Sequence, residues 1–381
     1  MVSPVRISLL GTLLCCAACA QDAPSVPDAA TPMAAPAVEL AQEPQPVVSG
    51  AELDAAVAAV PKLSSFMLFQ GGRMYRETYA NGSARDRPIN IKSASKSILN
   101  ALTGIALEKG YIENLDVPVA RYLPGYFEGL PADDPRRRIT VRHLVTMSSG
   151  LPSTSIRNYG AWVTSRDWVG YALAREVDNE PGAYMTYSTG DSHVLAAVLT
   201  KATGKPLREF AQQHLFAPVD MRVGGWDRDP QGIYFGGNNL ALSPAALLNF
   251  GRLYLDGGKF NGRQVLQPDW IAESWQPRFL NSSFNLRHDY GYLWWHTTFA
   301  GHSTWFAWGY GGQFLFVVPG LQAVVVLTCD PDTRERGTNN LIYDLMERVI
   351  VPWAQGNFAT TGTKAGGSTV SVPASPTPPA S

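Results

Sequence analysis

Cysteine is nearly absent from the part of this chain that can fold. Cys15, Cys16 and Cys19 fall within the first 19 residues, which leaves Cys329 alone. A single thiol closes no intramolecular disulfide and builds no Cys-based zinc site. Following the apolar run Val324-Val325-Val326-Leu327-Thr328, Cys329 reads as a small buried hydrophobe. An excess of charge of either sign is also missing. The net charge is −1, so there is no electrostatic footprint for nucleic acid or an anionic membrane. The six histidines are scattered, with no H-E-x-x-H pair to hold a metal. No serine sits in a G-x-S-x-G elbow, which excludes an α/β-hydrolase, and there is no phosphate loop, dinucleotide fingerprint or internal repeat.

What remains is an ordinary globular composition, 45% hydrophobic and 17% charged over 381 residues, enough to bury a large core. The first twenty residues read as a signal peptide outside the fold. Arg6 is its basic start, Ile7 to Ala20 form an apolar stretch too short to span a bilayer, and Ala18-Cys19-Ala20 is a small-residue cleavage site. Ala17-Ala18-Cys19 also resembles a lipoprotein signal, which would anchor the chain by lipid at Cys19, although Cys16 stands where such signals usually carry Leu. Export to the periplasm or beyond is the expectation either way. Residues 21–50, rich in Ala, Pro and Gln, read as a tether, and residues 357–381 as a disordered tail. The folded domain is then 51–356.

Strand signals gather at the two ends of that domain. Ser65–Gln70 and Met74–Tyr79 flank Gly71-Gly72, and Gln313–Val318 and Ala323–Thr328 flank Pro319-Gly320, each pair reading as a hairpin. The middle reads as helical, with Ser192–Gly204 and Ala245–Gly257 the clearest segments, and Asn339–Val351 closes the domain with Leu341, Leu345 and Val349 at helical spacing. The pattern is α+β: an antiparallel sheet built from both chain ends, flanked by helices, with a mainly helical lobe inserted.

The chemistry begins at Ser93-Ala94-Ser95-Lys96, which opens an apolar helix (Ile98, Leu102, Ile105) ending at Gly110. Ser93 is the only serine three residues before a lysine, and on a helix that spacing puts both on one face. A serine hydroxyl is a weak nucleophile until a neighbour takes its proton, and a desolvated lysine can do so because burial lowers its pKa. A capped, solvated helix start gives the same four letters, so the motif needs its context.

That context is a series of ordered segments: Ile139–Pro152 (ITVRHLVTMSSGLP), Pro181-Gly182 with Tyr187-Ser188-Thr189-Gly190-Asp191, Gly236–Ser243, Tyr290–Trp295 and Trp308–Gln313. Over residues 60–355 these resemble, in the right order, the class C β-lactamase-like and penicillin-binding-protein-like serine hydrolases. The resemblance implies that Ser93 is acylated, that Lys96 is its proton partner and that Tyr187 is a general base or proton shuttle. It implies an oxyanion hole of the Ser93 and Gln313 backbone N–H groups, with Thr189, Tyr310, Gly311 and Gly312 at the substrate. No metal or organic cofactor is implied, and the partner is a small ester, amide or peptide.

Two positions depart from the family pattern. Thr189 stands where a Tyr-x-Asn motif has Asn, with Asp191 as a partial substitute. Tyr310 stands where Lys-Thr-Gly or His-x-Gly supplies a cation, leaving His302 or Arg287 as other sources of one. Both changes point to the branch of esterases and the 6-aminohexanoate-dimer hydrolase, ahead of a β-lactamase or D-Ala-D-Ala carboxypeptidase. From another class, the alternative is a catalytically inactive relative that binds peptidoglycan or peptides. The aromatic residues Trp294, Trp295, Trp305, Phe306 and Trp308 fit either an apolar cleft or core packing. His143 reads as a buried, hydrogen-bonded histidine.

Overall fold

The computed structural model describes residues 48–155, 157–280, 288–332 and 337–361. The expected signal peptide, nearly all of the tether, most of the tail and Arg287 lie outside them. Among the described residues the main sheet has seven strands: β1 (Leu63–Gln70), β2 (Arg73–Tyr79), β3 (Asp289–Tyr290), β4 (Trp295–Phe299), β5 (His302–Gly309), β6 (Gln313–Val318) and β7 (Ala323–Cys329). Their spatial order is β2-β1-β7-β6-β5-β4-β3, antiparallel throughout. The first and last strands of this sheet in chain order meet where β1 pairs with β7, Phe66 opposite Leu327 and Leu68 opposite Val325. The Ser65 and Thr328 hydroxyls share a buried hydrogen bond of 2.6 Å across that seam.

The strands β1, β6 and β7 are buried at every position, which explains apolar runs without alternation. Helix α5 (Pro244–Leu255) covers one face, where Gly251 lies against Leu315 and Val324. The helices Thr338–Leu345 and Val351–Thr361 cover the other, with Tyr343 edge-on to Phe314 at 5.5 Å and Ala354 O accepting from Gln70 Nε2 at 2.8 Å. Neighbours 314 and 315 thus face opposite helices, as the two-residue period of a strand requires.

The helical readings hold, with shifted ends. The helix read at Ser192 begins three residues earlier as α4 (Thr189–Thr203), since its first turn is polar yet buried, with Ser188 as N-cap and Gly204 left-handed at its end. The last helix runs to Thr361, five residues past the expected boundary at 356, and Asn357 in that extension donates to Gln70 Oε1 at 2.7 Å. The inserted lobe also holds a small sheet (Ile89–Asn90, Leu240–Leu242, Val223–Trp226), whose strands are too short to show periodicity.

At the centre lies α2 (Ser95–Glu108), buried from Ser95 to Ala106 on all sides. Its polar residues are anchored to other elements. Ser97 Oγ donates to Leu293 O at 2.8 Å, and Asn100 Nδ2 donates to Tyr292 O and Ser274 Oγ, each at 2.9 Å. Gly104 lets Trp270 pack on the helix, for a Cβ there would lie 2.4 Å from the indole. Helix propensity alone favours Ala at such a site by about 1 kcal/mol. Overpacking opposes it by roughly 1–3 kcal/mol, and the indole is buried and hard to displace. Gly104→Ala should therefore lower stability, seen as a lower urea midpoint at unchanged slope; a raised midpoint would show that Trp270 relaxes freely.

Candidate active site

The chain enters the site through a left-handed backbone at Lys92 (φ 50°), unusual for a residue with a Cβ. Three bonds hold the turn: Lys92 N–H to Asn90 Oδ1 (2.9 Å), Asn90 Nδ2 to Asn239 Oδ1 (3.1 Å) and Ser95 Oγ to Lys92 O (2.8 Å). Ser93 lies in a 3₁₀ turn, Lys92–Ala94, ahead of α2 rather than inside it as the sequence suggested. The tight turn is needed because β5 passes directly above. A Cβ on Gly309 would fall 2.2 Å from Ile91 O and 3.2 Å from Ala94 N.

Lys96, one turn on, is 2% exposed. Its Nζ donates to Gly237 O (2.8 Å), Ser93 Oγ (3.1 Å) and Thr189 Oγ1 (3.3 Å). Among the described residues it forms no salt bridge, so burial acts unopposed and brings its pKa down to about 7.

Tyr187 completes the group. Its ring lies 5.0 Å beneath Lys96 Nζ, stacks on Trp295 at 5.5 Å and meets Tyr290 edge-on at 6.4 Å. Its hydroxyl hydrogen-bonds with Ser93; burial nonetheless pushes its pKa well above the ordinary phenol value. Ser93, Lys96, Tyr187 and Thr189 are thus brought together. Asp191 does not join them. It is buried against Ser149 and Ser188, neither carboxylate oxygen meets hydrogen-bonding geometry, and burial raises it to about 7. Thr189, not Asp191, takes the contact to Lys96.

The third segment divides. Gln313 is buried, its amide donating to Cys329 O (2.8 Å) and Gly311 O (3.2 Å), and it pairs with Gly309 across the β5–β6 turn. Gly312 (φ 84°) lies so close to Cys329 that a Cβ would come within 2.8 Å of Sγ. Tyr310 is 52% exposed at the tip of the turn, beside Gly311. His302 cannot supply a cation here, being at the far end of the eight-residue β5, roughly 23 Å from Gly309. Of the aromatic residues, Trp295 reaches Tyr187 and Trp308 meets Trp295 at 5.7 Å. Trp294 packs on Tyr254 and Trp305 on Trp275, in the core. His143 caps α3 (Val141–Val145), its Nδ1 accepting from Thr140 N–H at 3.2 Å.

Sequence reasoning missed three partners. Gly237 supplies the shortest contact to Lys96, and a Cβ there would lie 2.6 Å from Lys96 Cγ. Ser155 Oγ accepts the Thr189 N–H at 2.9 Å and pairs with its hydroxyl at 3.0 Å. Ser192 Oγ donates to Gly236 O at 2.9 Å. The doubled glycine before Asn238 was the one available signal of close backbone approach.

The buried lysine has a thermodynamic signature. Its pKa falls from 10.5 to about 7 on folding, so the destabilisation is complete below pH 7 and is lost as pH rises towards 10.5. Lys96→Met, similar in volume and uncharged, should raise Tm, and raise it more at pH 6 than at pH 9. Equal Tm shifts at both pH values would refute a depressed lysine.

Comparison with known proteins extends the geometry to a family. A family model described as beta-lactamase matches residues 55–345. The 6-aminohexanoate-dimer hydrolase of Paenarthrobacter ureafaciens is 25% identical over 329 residues, 76% of this chain and 80% of that protein. Among solved structures, EstCE1, a hydrolase with promiscuous acyltransferase activity, superposes with TM-score 0.63 at 19% identity, covering 77% of this chain and 98% of that one. A penicillin-binding protein from Bacillus halodurans gives 0.61 at 15%, covering 76% and 97%. At such identity the structures speak for the fold, while the family model spans all seven strands of the main sheet and the inserted lobe: the chain belongs to the beta-lactamase family of serine hydrolases.

Proposed function

We propose that this chain is an exported serine hydrolase that cleaves ester or short amide bonds through an acyl-enzyme on Ser93. The observation that carries the reading is a buried Lys96, with pKa about 7, at 3.1 Å from Ser93 Oγ. A neutral amine has two hydrogens and one lone pair. Gly237 O and Thr189 Oγ1 take the hydrogens, which turns the lone pair to the Ser93 hydroxyl.

In the proposed reaction Ser93 Oγ attacks the carbonyl carbon as its proton passes to Lys96. The Ser93 and Gln313 backbone N–H groups receive the oxyanion. Collapse of the tetrahedral intermediate breaks the C–O or C–N bond, and the leaving group takes the proton from Lys96 directly or through the Tyr187 hydroxyl. Water then repeats the sequence on the acyl-enzyme and releases the acid. Tyr187 acts as a neutral relay here, since burial holds its phenol protonated.

The same residues bear on substrate. Tyr310 offers no charge where a carboxylate-recognising relative would have a cation, which supports uncharged esters or amides over β-lactams and D-Ala-D-Ala peptides. Release outside the cytoplasm, free or lipid-anchored at Cys19, is part of the proposal and rests on the N-terminal sequence.

Ser93→Ala should lower p-nitrophenyl ester turnover by at least about a thousandfold with Tm shifted little. Mass spectrometry should find a fluorophosphonate adduct on Ser93, absent in that variant; retained turnover would overturn the assignment. Opening of a penicillin would instead favour a β-lactam-recognising enzyme, and no adduct with any reagent a binding-only relative. Because Lys96 must be unprotonated, kcat/KM should fall about tenfold per pH unit below an apparent pKa near 7. A flat profile from pH 5 to 8 would exclude Lys96 as the base.

A further inference from the structure

Beyond Lys96 lies a second buried pair that touches neither Ser93 nor the cleft. The side chains of His193 and Asp229 are fully buried, with Nε2 to Oδ2 at 3.0 Å. The other oxygen of Asp229 accepts the N–H groups of Gln231 (2.9 Å) and Ile233 (2.8 Å), closing the 229–233 turn on itself. On its far side the imidazole accepts the Gly236 N–H at Nδ1, at 3.2 Å. That contact settles the tautomer: Nδ1 carries no proton, so Nε2–H donates to Asp229. Trp162, Trp168 and Phe235 wall the ring at 5.8, 5.3 and 6.0 Å.

Both polar groups of Gly236 are therefore held by consecutive residues of α4, its N–H by His193 and its carbonyl by Ser192. The backbone has no slack, since a Cβ on Gly236 would fall 2.2 Å from Ser192 O. The next carbonyl along is Gly237 O, 2.8 Å from Lys96 Nζ. We infer that Asp229 and His193 are positioning residues for Lys96: the carboxylate holds the imidazole in the one tautomer that accepts from Gly236, and so fixes Gly237 O against the amine. The inference rests on the proposed role of Lys96 as base.

Asp229→Asn is the direct test. One side-chain oxygen must stay with the Gln231 and Ile233 N–H groups, so the new NH₂ faces His193 Nε2. Nε2 must then accept, its proton moves to Nδ1, and two donors meet at Gly236. The rate of Ser93 phosphonylation by a fluorophosphonate, and kcat for a p-nitrophenyl ester, should fall about ten- to a hundredfold with KM nearly unchanged. The double variant Asp229→Asn with His193→Asn should recover most of that loss, because the amide carbonyl that replaces the imidazole can accept from Gly236 whatever residue 229 offers. A wild-type rate in Asp229→Asn, or a double variant no faster than the single one, would overturn the inference. Wild-type protein that never phosphonylates Ser93 would fail the acyl-enzyme reading itself, a separate result. If the variants do not fold, ¹⁵N NMR of histidine-labelled wild type decides: an Nε2–H tautomer at His193 is expected, and an Nδ1–H tautomer overturns it.

Discussion

The site turns on one amine held in the interior with no counter-charge among the described residues. Taking an ammonium out of water costs several kcal/mol even after relaxation, and a carboxylate beside it would offset part of that cost and keep it charged. Lys96 has instead three neutral oxygens, each from a different element: the Ser93 turn, the first residue of α4 and the Gly237 carbonyl. These oxygens orient the nitrogen while leaving its protonation poised near neutrality. Much of the surrounding structure follows from that need. The helix carrying Lys96 is buried on every side, and glycines stand where backbone must come within reach of it.

Much of this was legible in the sequence, and the illegible part has a physical pattern. The two hairpins, α4 and α5 carry strong period signals or flanking glycines and were read within three residues. The Ser93, Lys96 and Tyr187 group, which the structure brings together, was readable because all three are side chains standing in segments of recognisable order. What escaped was partly backbone, since the Gly237 carbonyl and the Gly236 N–H have no side-chain letter to announce them, and partly the common hydroxyls of Ser155 and Ser192, whose roles only the fold assigns. The Ser93 turn was misread as helix because a 3₁₀ turn and an α-helical start share the same residue preferences, and the tightening comes from β5 lying overhead. Asp191 misled for another reason. Its residue type suits an active site, but its carboxylate is buried against Ser149 and Ser188 while Thr189 meets Lys96.

The departures at Thr189 and Tyr310 differ in weight. Thr189 keeps a hydroxyl where the family pattern has an amide, and that hydroxyl, steadied by Ser155, still serves Lys96. Tyr310 is exposed and uncharged, on a turn whose Gly312 and Gln313 lie against Cys329. The fixed part is the backbone that would face a tetrahedral intermediate, and the free part is the side chain that would meet the rest of the substrate. A shared fold can change its substrate at such a position with its acyl-transfer apparatus untouched.

The seam between β1 and β7 carries a consequence for how the protein is made. Ser65 and Thr328, bonded across it, are 263 residues apart. The turn that precedes Ser93 is roofed by β5, and Gln313 opens β6, so these parts of the site leave the ribosome last. A chain still in synthesis has neither the partner that buries β1 nor the strand that completes the space above Ser93. Folding must wait for these late strands and then close long loops at once, so Ser93 acquires its surroundings only after residues some two hundred positions downstream of it have been made.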